Sequence, residues 1–141
     1  MTEAAAIKYM GQPLRRREDF KFITGKGRYT DDMKAPGMLH MAIVRSPHAH
    51  AIIKSVDLTA ARAAPGVRVA LSGADLAGKI GAIEPNWVIP GTKIPDRPVV
   101  AIDRVRFVGE CVALVVAETQ ALAYDAAGLI EVDYDVLPAV T

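Results

Sequence analysis

The sequence predicts an α+β fold of short strands and short helices, closing on a C-terminal β-α-β unit. Three observations carry that prediction. Apolar residues alternate or run in blocks of strand length, and Gly, Pro and Ser punctuate them. One stretch, after Thr119, carries a helical stripe instead. The 141 residues are 51% hydrophobic, with 23 Ala and 15 Val against 8 aromatic residues, which is the arithmetic of one soluble globular domain. By area scaling, a chain of this mass buries roughly 68% of its unfolded surface, enough to fold without staples.

Residues 1–36 mix Gly, Pro and charge with neither strand nor helix period, and read as an extended arm with turns at Gly25 to Gly27 and at Pro36-Gly37. Residues 37–141 form the domain proper. Leu39, Met41 and Ile43 alternate with His40 and Ala42 as a half-buried strand that Ser46-Pro47 ends, and residues 51–56 are a second strand. Asp57 or Thr59 can accept from free N–H groups in the first turn of a short helix reaching Ala64, which Pro65-Gly66 stops. Residues 67–71 are a strand and 73–78 a brief helical turn.

Residues 79–98 hold prolines 85, 90, 95 and 98, which is loop chemistry. So long a loop in a compact domain is usually functional or covered by a partner. Trp87, the only tryptophan, lies in it. The reading favoured here is that its ring folds back to plug the core; exposed, it would be a contact anchor.

Short strands are expected at 99–102 and 105–108. The run CVALVVA, residues 111–117, is apolar throughout and fits a strand covered on both faces. Thr119 caps a helix over 120–129, in which Leu122, Ala126 and Ile130 recur every four residues and Ala123 and Ala127 widen the stripe. Residues 130–136 alternate Ile, Val, Tyr and Val with Glu131, Asp133 and Asp135. Strand, helix and strand make a compact β-α-β unit, its crossover right-handed if the strands are parallel.

Several function classes are excluded at once. Cys111 is the only cysteine, so there is no disulfide scaffold. A net charge of +1 gives no general attraction to nucleic acid or anionic lipid. No apolar run approaches the 18 or more residues of a membrane span, and MTEAAAIKYMGQ lacks a secretory pattern, so a cytoplasmic chain is expected.

Chemistry-bearing residues are few, and each has a plain structural reading. Gly25-Lys26-Gly27-Arg28-Tyr29-Thr30 begins like a phosphate loop but lacks the third glycine and opens no helix, so it reads as a tight turn. His48 and His50 could share a strand face, but a zinc site needs three or four ligands and would have to recruit His40 or Asp57; polar loop histidines are the preferred reading. Cys111 reads as a buried, inert thiol. Glu131, Asp133 and Asp135 read as a solvated outer face, and Arg15-Arg16-Arg17, followed by Glu18-Asp19, as an exposed arm segment. Glu110 is a carboxylate at a glycine turn with no nameable acid, metal or oxyanion partner. No residue is assigned a catalytic, cofactor-binding or metal-ligating role.

Read together, Gly11-Gln12-Pro13 with Arg16, Thr24-Gly25-Lys26-Gly27-Arg28-Tyr29 with Asp31-Asp32, Pro36-Gly37-Met38-Leu39-His40 and Val44-Arg45-Ser46-Pro47-His48-Ala49-His50-Ala51 resemble the N-terminal part of the molybdenum hydroxylase large subunit. That family includes xanthine dehydrogenase, aldehyde oxidoreductase and carbon monoxide dehydrogenase. The resemblance resumes at Pro65-Gly66-Val67, at Val105-Arg106-Phe107-Val108-Gly109-Glu110, and from Asp125-Ala126-Ala127 through Glu131-Val132-Asp133-Tyr134 to Leu137-Pro138-Ala139-Val140. It departs at Cys111, where the family usually has proline.

The resemblance implies an α/β-hammerhead domain, a mixed sheet with flanking short helices. It also implies an enzyme carrying molybdopterin cytosine dinucleotide with molybdenum, 2Fe-2S clusters and FAD, which hydroxylates a carbon centre or oxidises carbon monoxide with oxygen from water. The implied partners are the remaining large-subunit molybdopterin domains and the iron–sulfur and FAD subunits. The pterin-binding residues and the family's base glutamate are expected in later domains, beyond the chain's end at Ala139-Val140-Thr141; Glu110 is not that glutamate. The expected role is structural and interface-forming, inactive alone. Two alternatives are a free-standing scaffold that holds a partner through the loop around Trp87, and a small metal enzyme using His40, His48 and His50.

Overall fold

The structure, a computed structural model, describes Gly11 and residues 13–139. The stretch read for a leader, Gln12 of the first motif, and Val140-Thr141 lie outside the described residues. The chain divides into two units at Pro36 and Gly37.

The first unit is not wholly extended. It holds a helical turn, α1 (Asp19–Ile23), and a 3-10 turn at Thr30–Asp32. The Asp19 carboxylate accepts from the Arg16 N–H at 3.1 Å, ahead of the first turn, and the Thr24 hydroxyl donates to the Phe20 carbonyl at 2.6 Å, closing the last. Gly25, at φ +70°, then carries the chain out through the left-handed region that ends many helices. The Phe22 and Tyr29 rings stack with centroids 5.4 Å apart, and a Cβ on Gly27 would lie 2.6 Å from the Phe22 ring. The Gly-Lys-Gly segment is thus a turn that lets two rings meet.

The second unit is the α+β fold expected. Its elements are β1 (His40–Arg45), β2 (Ala51–Asp57), α2 (Thr59–Ala63), β3 (Val67–Ser72), α3 (Gly73–Leu76), β4 (Arg104–Val105), β5 (Cys111–Ala117), α4 (Gln120–Ala127) and β6 (Glu131–Val136). Of the expected caps, the Thr119 hydroxyl accepts from the Leu122 N–H at 3.2 Å; at α2 the N-cap is Leu58, and Asp57, one residue before it, accepts from the Thr59 N–H at 2.8 Å.

The arrangement of strands differs from expectation. There are two three-stranded antiparallel sheets, ordered β1-β5-β3 and β4-β2-β6, instead of one mixed sheet. β5, α4 and β6 follow one another as the sequence indicates, yet β5 and β6 never pair. Both edges of β5 are taken, by β1 and by β3, so β6 pairs with β2 in the other sheet. Helix α4 therefore links two sheets and makes no parallel crossover. Residues 99–102 are bends and irregular backbone, not a strand: Val100 and Ala101 are buried, but the Ala101 N–H donates to the Cys111 carbonyl without a ladder. The strand expected at 105–108 shrinks to β4, because residues 106–110 turn through Gly109 at φ +87°.

Among the described residues the buried apolar set is nine alanines, four valines, Leu58 and Ile130, with no aromatic side chain. Small side chains let α4 lie close on the first sheet, where Ala123 and Ala126 meet Ala42, Ala70, Ala113, Val115 and Ala117. Backbone approaches backbone at Gly73 too, where a Cβ would run into the Ala101 carbonyl. So close a core has no space for an indole. Trp87 is 84% exposed, and the expectation that its ring plugs the core is overturned. Residues 79–98 form the loop foreseen, pinned at its base by the Ile83 N–H donating to the Arg97 carbonyl at 2.8 Å.

Candidate functional site

Two of the sequence motifs meet at one place. Where β1 ends, Ser46 is 2% exposed; its N–H donates to the Glu110 carbonyl at 2.9 Å, and its own carbonyl accepts from the Gly109 N–H at 2.8 Å. The Arg45 guanidinium donates to the Gly109 carbonyl at 2.8 Å. The Ser46 hydroxyl accepts from the His48 N–H at 3.0 Å, the local turn that serine makes readily after a strand. Pro47 cannot extend the ladder, having no N–H.

Glu110, 5% exposed, accepts a short hydrogen bond from the Arg106 N–H. It therefore closes the 106–110 turn, and an ionised carboxylate accepting a backbone N–H makes a stronger bond than a neutral pair. The turn holds Phe107 and Val108 out at 44% and 64% exposure.

The histidines do not converge. His48 and His50 lie in a loop, as preferred above, and the His48 ring meets Tyr134 edge-on with centroids 5.0 Å apart. His50 Nδ1 lies 2.9 Å from the Pro138 carbonyl, which can only accept, so that nitrogen carries the proton. His40 stands on β1 opposite Ala117. Asp57 is occupied at its helix, and hydrogen bonds from the Thr59 side chain and N–H hold its carboxyl below the usual carboxylate range. Among the described residues no three His, Cys, Asp or Glu side chains gather where they could hold a metal.

The other candidates fall similarly. Cys111 is half-buried where a buried thiol was expected, and burial pushes its pKa up, away from nucleophilic use. Glu131, Asp133 and Asp135 are exposed along β6, the solvated face expected of them. Arg15, Arg16 and Arg17 are exposed, and Arg16 pairs with Asp19 at 3.2 Å. Burial raises the Tyr134 phenol. Sequence reasoning missed Ser46 as the node of the cluster; the Ser-Pro after a strand marked a strand end, not a partner 64 residues away.

The aldehyde oxidase and xanthine dehydrogenase family, in its a/b hammerhead domain, matches residues 24–138. The chain belongs to that family. This hammerhead domain is 44% identical over 138 residues to the carbon monoxide dehydrogenase large chain of Afipia carboxidovorans, covering 97% of this chain and 16% of that one. It is 40% identical over 131 residues to the nicotine 6-hydroxylase large subunit of Paenarthrobacter nicotinovorans, covering 93% and 16%. Among solved structures, quinoline 2-oxidoreductase from Pseudomonas putida 86 matches with a TM-score of 0.83 at 48% identity, over 91% of this chain and 16% of that one. The Cu,Mo-CO dehydrogenase matches at 0.73 and 42%, over 92% and 16%. The hammerhead domain thus spans about a sixth of the relatives it matches. Among the described residues no helix is long and apolar enough to cross a membrane.

Proposed function

We propose that this hammerhead domain is a structural and interface-forming part of the large subunit of a cytoplasmic, molybdopterin-dependent oxidoreductase, and that it performs no chemistry alone. The observation that carries the reading is how its polar groups are used. Glu110 is spent on the Arg106 N–H, Ser46 on the 109–110 backbone, and His50 on the Pro138 carbonyl. Groups held in this way position loops.

The complete enzyme would hydroxylate or oxidise an aldehyde, a heteroaromatic compound or carbon monoxide with water as oxygen source. Molybdopterin cytosine dinucleotide with molybdenum would sit in the remaining large-subunit domains, and 2Fe-2S clusters and FAD in partner subunits. The described residues do not fit these groups as ligands: the single cysteine cannot ligate a cluster that takes four. The test is to purify the 141 residues alone and measure molybdenum, pterin absorbance and dye-linked oxidation. None is expected, and bound cofactor or turnover would sink the proposal.

One observation favours a second reading, a scaffold that holds a partner subunit through residues 79–98: Trp87 and Ile89 are 84% and 61% exposed there. Tryptophan is over-represented among the residues that dominate binding energy. Trp87→Ala should then weaken pull-down of the partner while leaving the melting transition intact, and unchanged pull-down counts against it.

A further inference from the structure

In an antiparallel sheet with one wet face, apolar and polar residues alternate along each strand. β5 breaks that rule: CVALVVA reads as a strand covered on both faces. In the structure one face is covered along its length, whereas the other is buried at Val112 and only partly covered at Leu114 and Val116. Ala113, Val115 and Ala117 are fully buried on the side of α4. On the other side, cross-strand pairing sets two rows of aliphatic side chains over all three strands: Met41, Val116 and Val69, then Ile43, Leu114 and Leu71. Met41 is 58% exposed, and Ile43 and Val69 are each 38% exposed. No charged or polar side chain stands in either row. Nearby charges are tied down elsewhere, Arg68 to Glu118 at 2.6 Å and Arg45 to the Gly109 carbonyl.

We infer that this face seats an apolar layer supplied by the remainder of the large-subunit polypeptide. The inference rests on the proposed function. Two rows about 7 Å apart across strands spaced about 4.8 Å make a patch of a few hundred Å². That is well under the roughly 800 Å² per partner of a stable complex between separate chains, so a second copy of this chain is disfavoured. A tethered domain needs far less, because its effective concentration is set by the linker. Charge-free aliphatic chemistry also belongs to permanent contacts, whereas exchanging interfaces are about as polar as ordinary surface. Residues 79–98, with Lys79, Glu84, Lys93, Asp96 and Arg97 among their apolar groups, have that second, mixed character. The relatives supply the occupant, since five-sixths of their polypeptide lies outside the matched region.

The experiment compares oxidation of Met41 by dilute hydrogen peroxide, read by peptide mass spectrometry, in the 141-residue chain and in the full-length large subunit. Thioether oxidation follows exposure, so Met41 should react readily in the short chain and about tenfold more slowly in the full subunit. Met41→Glu should leave the melting of the short chain unchanged and prevent recovery of soluble full-length subunit. Equal oxidation in both would overturn the inference. So would protection that appears only on adding iron–sulfur or flavin subunits, protection in the short chain that rises with its dimer fraction, or existence of the domain only as a free chain. Molybdenum bound by the short chain would refute the proposed function without changing the Met41 rates.

Discussion

Glu110 offers the sharpest test of whether the meeting of the two motifs is architecture. Replacing it by alanine removes the only acceptor seen among the described residues for the Arg106 N–H, at a position where Glu110 is 5% exposed. A hydrogen bond to a charged group contributes about 1.5–3 kcal/mol. Relief of the buried carboxylate's desolvation offsets part of it, leaving an expected cost of about 2 kcal/mol. For a chain of this size that lowers the melting temperature by about 4–8 °C. Glu110→Gln keeps a carbonyl acceptor in the same place and should cost half as much or less. Urea unfolding followed by circular dichroism measures both, with unchanged m-values as the sign that only stability moved. An alanine variant within about 0.5 kcal/mol of wild type, or glutamine and alanine variants of equal stability, would refute the reasoning.

Three further outcomes are expected. Gly73→Ala pushes a methyl into the Ala101 carbonyl, backbone that cannot swing aside, and should destabilise by about 1–3 kcal/mol in the same unfolding assay; a neutral result would show that residues 99–102 are free to shift. Hydrogen bonds from the Ser72 N–H and hydroxyl, with Arg62 nearby, hold the Asp75 carboxyl below its usual value. Its contribution is therefore complete above the unfolded pKa of about 3.9 and lost as pH falls through the lower folded value. Stability between pH 5 and 2 should fall more steeply for wild type than for Asp75→Asn, and parallel curves would remove the role. Burial raises the Cys111 thiol, so thiolate absorbance should titrate above that of free cysteine and alkylation at neutral pH should be slow; a lowered midpoint would reopen the question of reactivity.

Much of the local structure is legible in the residues. Strand β5 begins and ends where its apolar run does, α4 begins after its threonine cap, and the Asp57 carboxylate accepts from the first N–H of the helix that follows it. These features depend on neighbours within a few residues, which sequence patterns record directly. The reading of residues 99–102 failed because an apolar run reports burial and not pairing: Val100 and Ala101 are buried outside any strand. Trp87 was misjudged because a core's capacity for an indole depends on how closely its sheets and helix approach, which no single position reveals. Ser46 and Glu110 were each visible, but their joining was not.

By itself, then, the sequence determined the α+β class, most element positions and, through its ordered motifs, the family. Only the tertiary structure decided that β5 and β6 belong to separate sheets, that Glu110 latches a turn, and that one apolar face of β1-β5-β3 is only partly covered. The physical reason is range. Periodicity and capping act over one or two helical turns, whereas strand partnership and face burial are settled by segments 50 or more residues apart competing for the same edge.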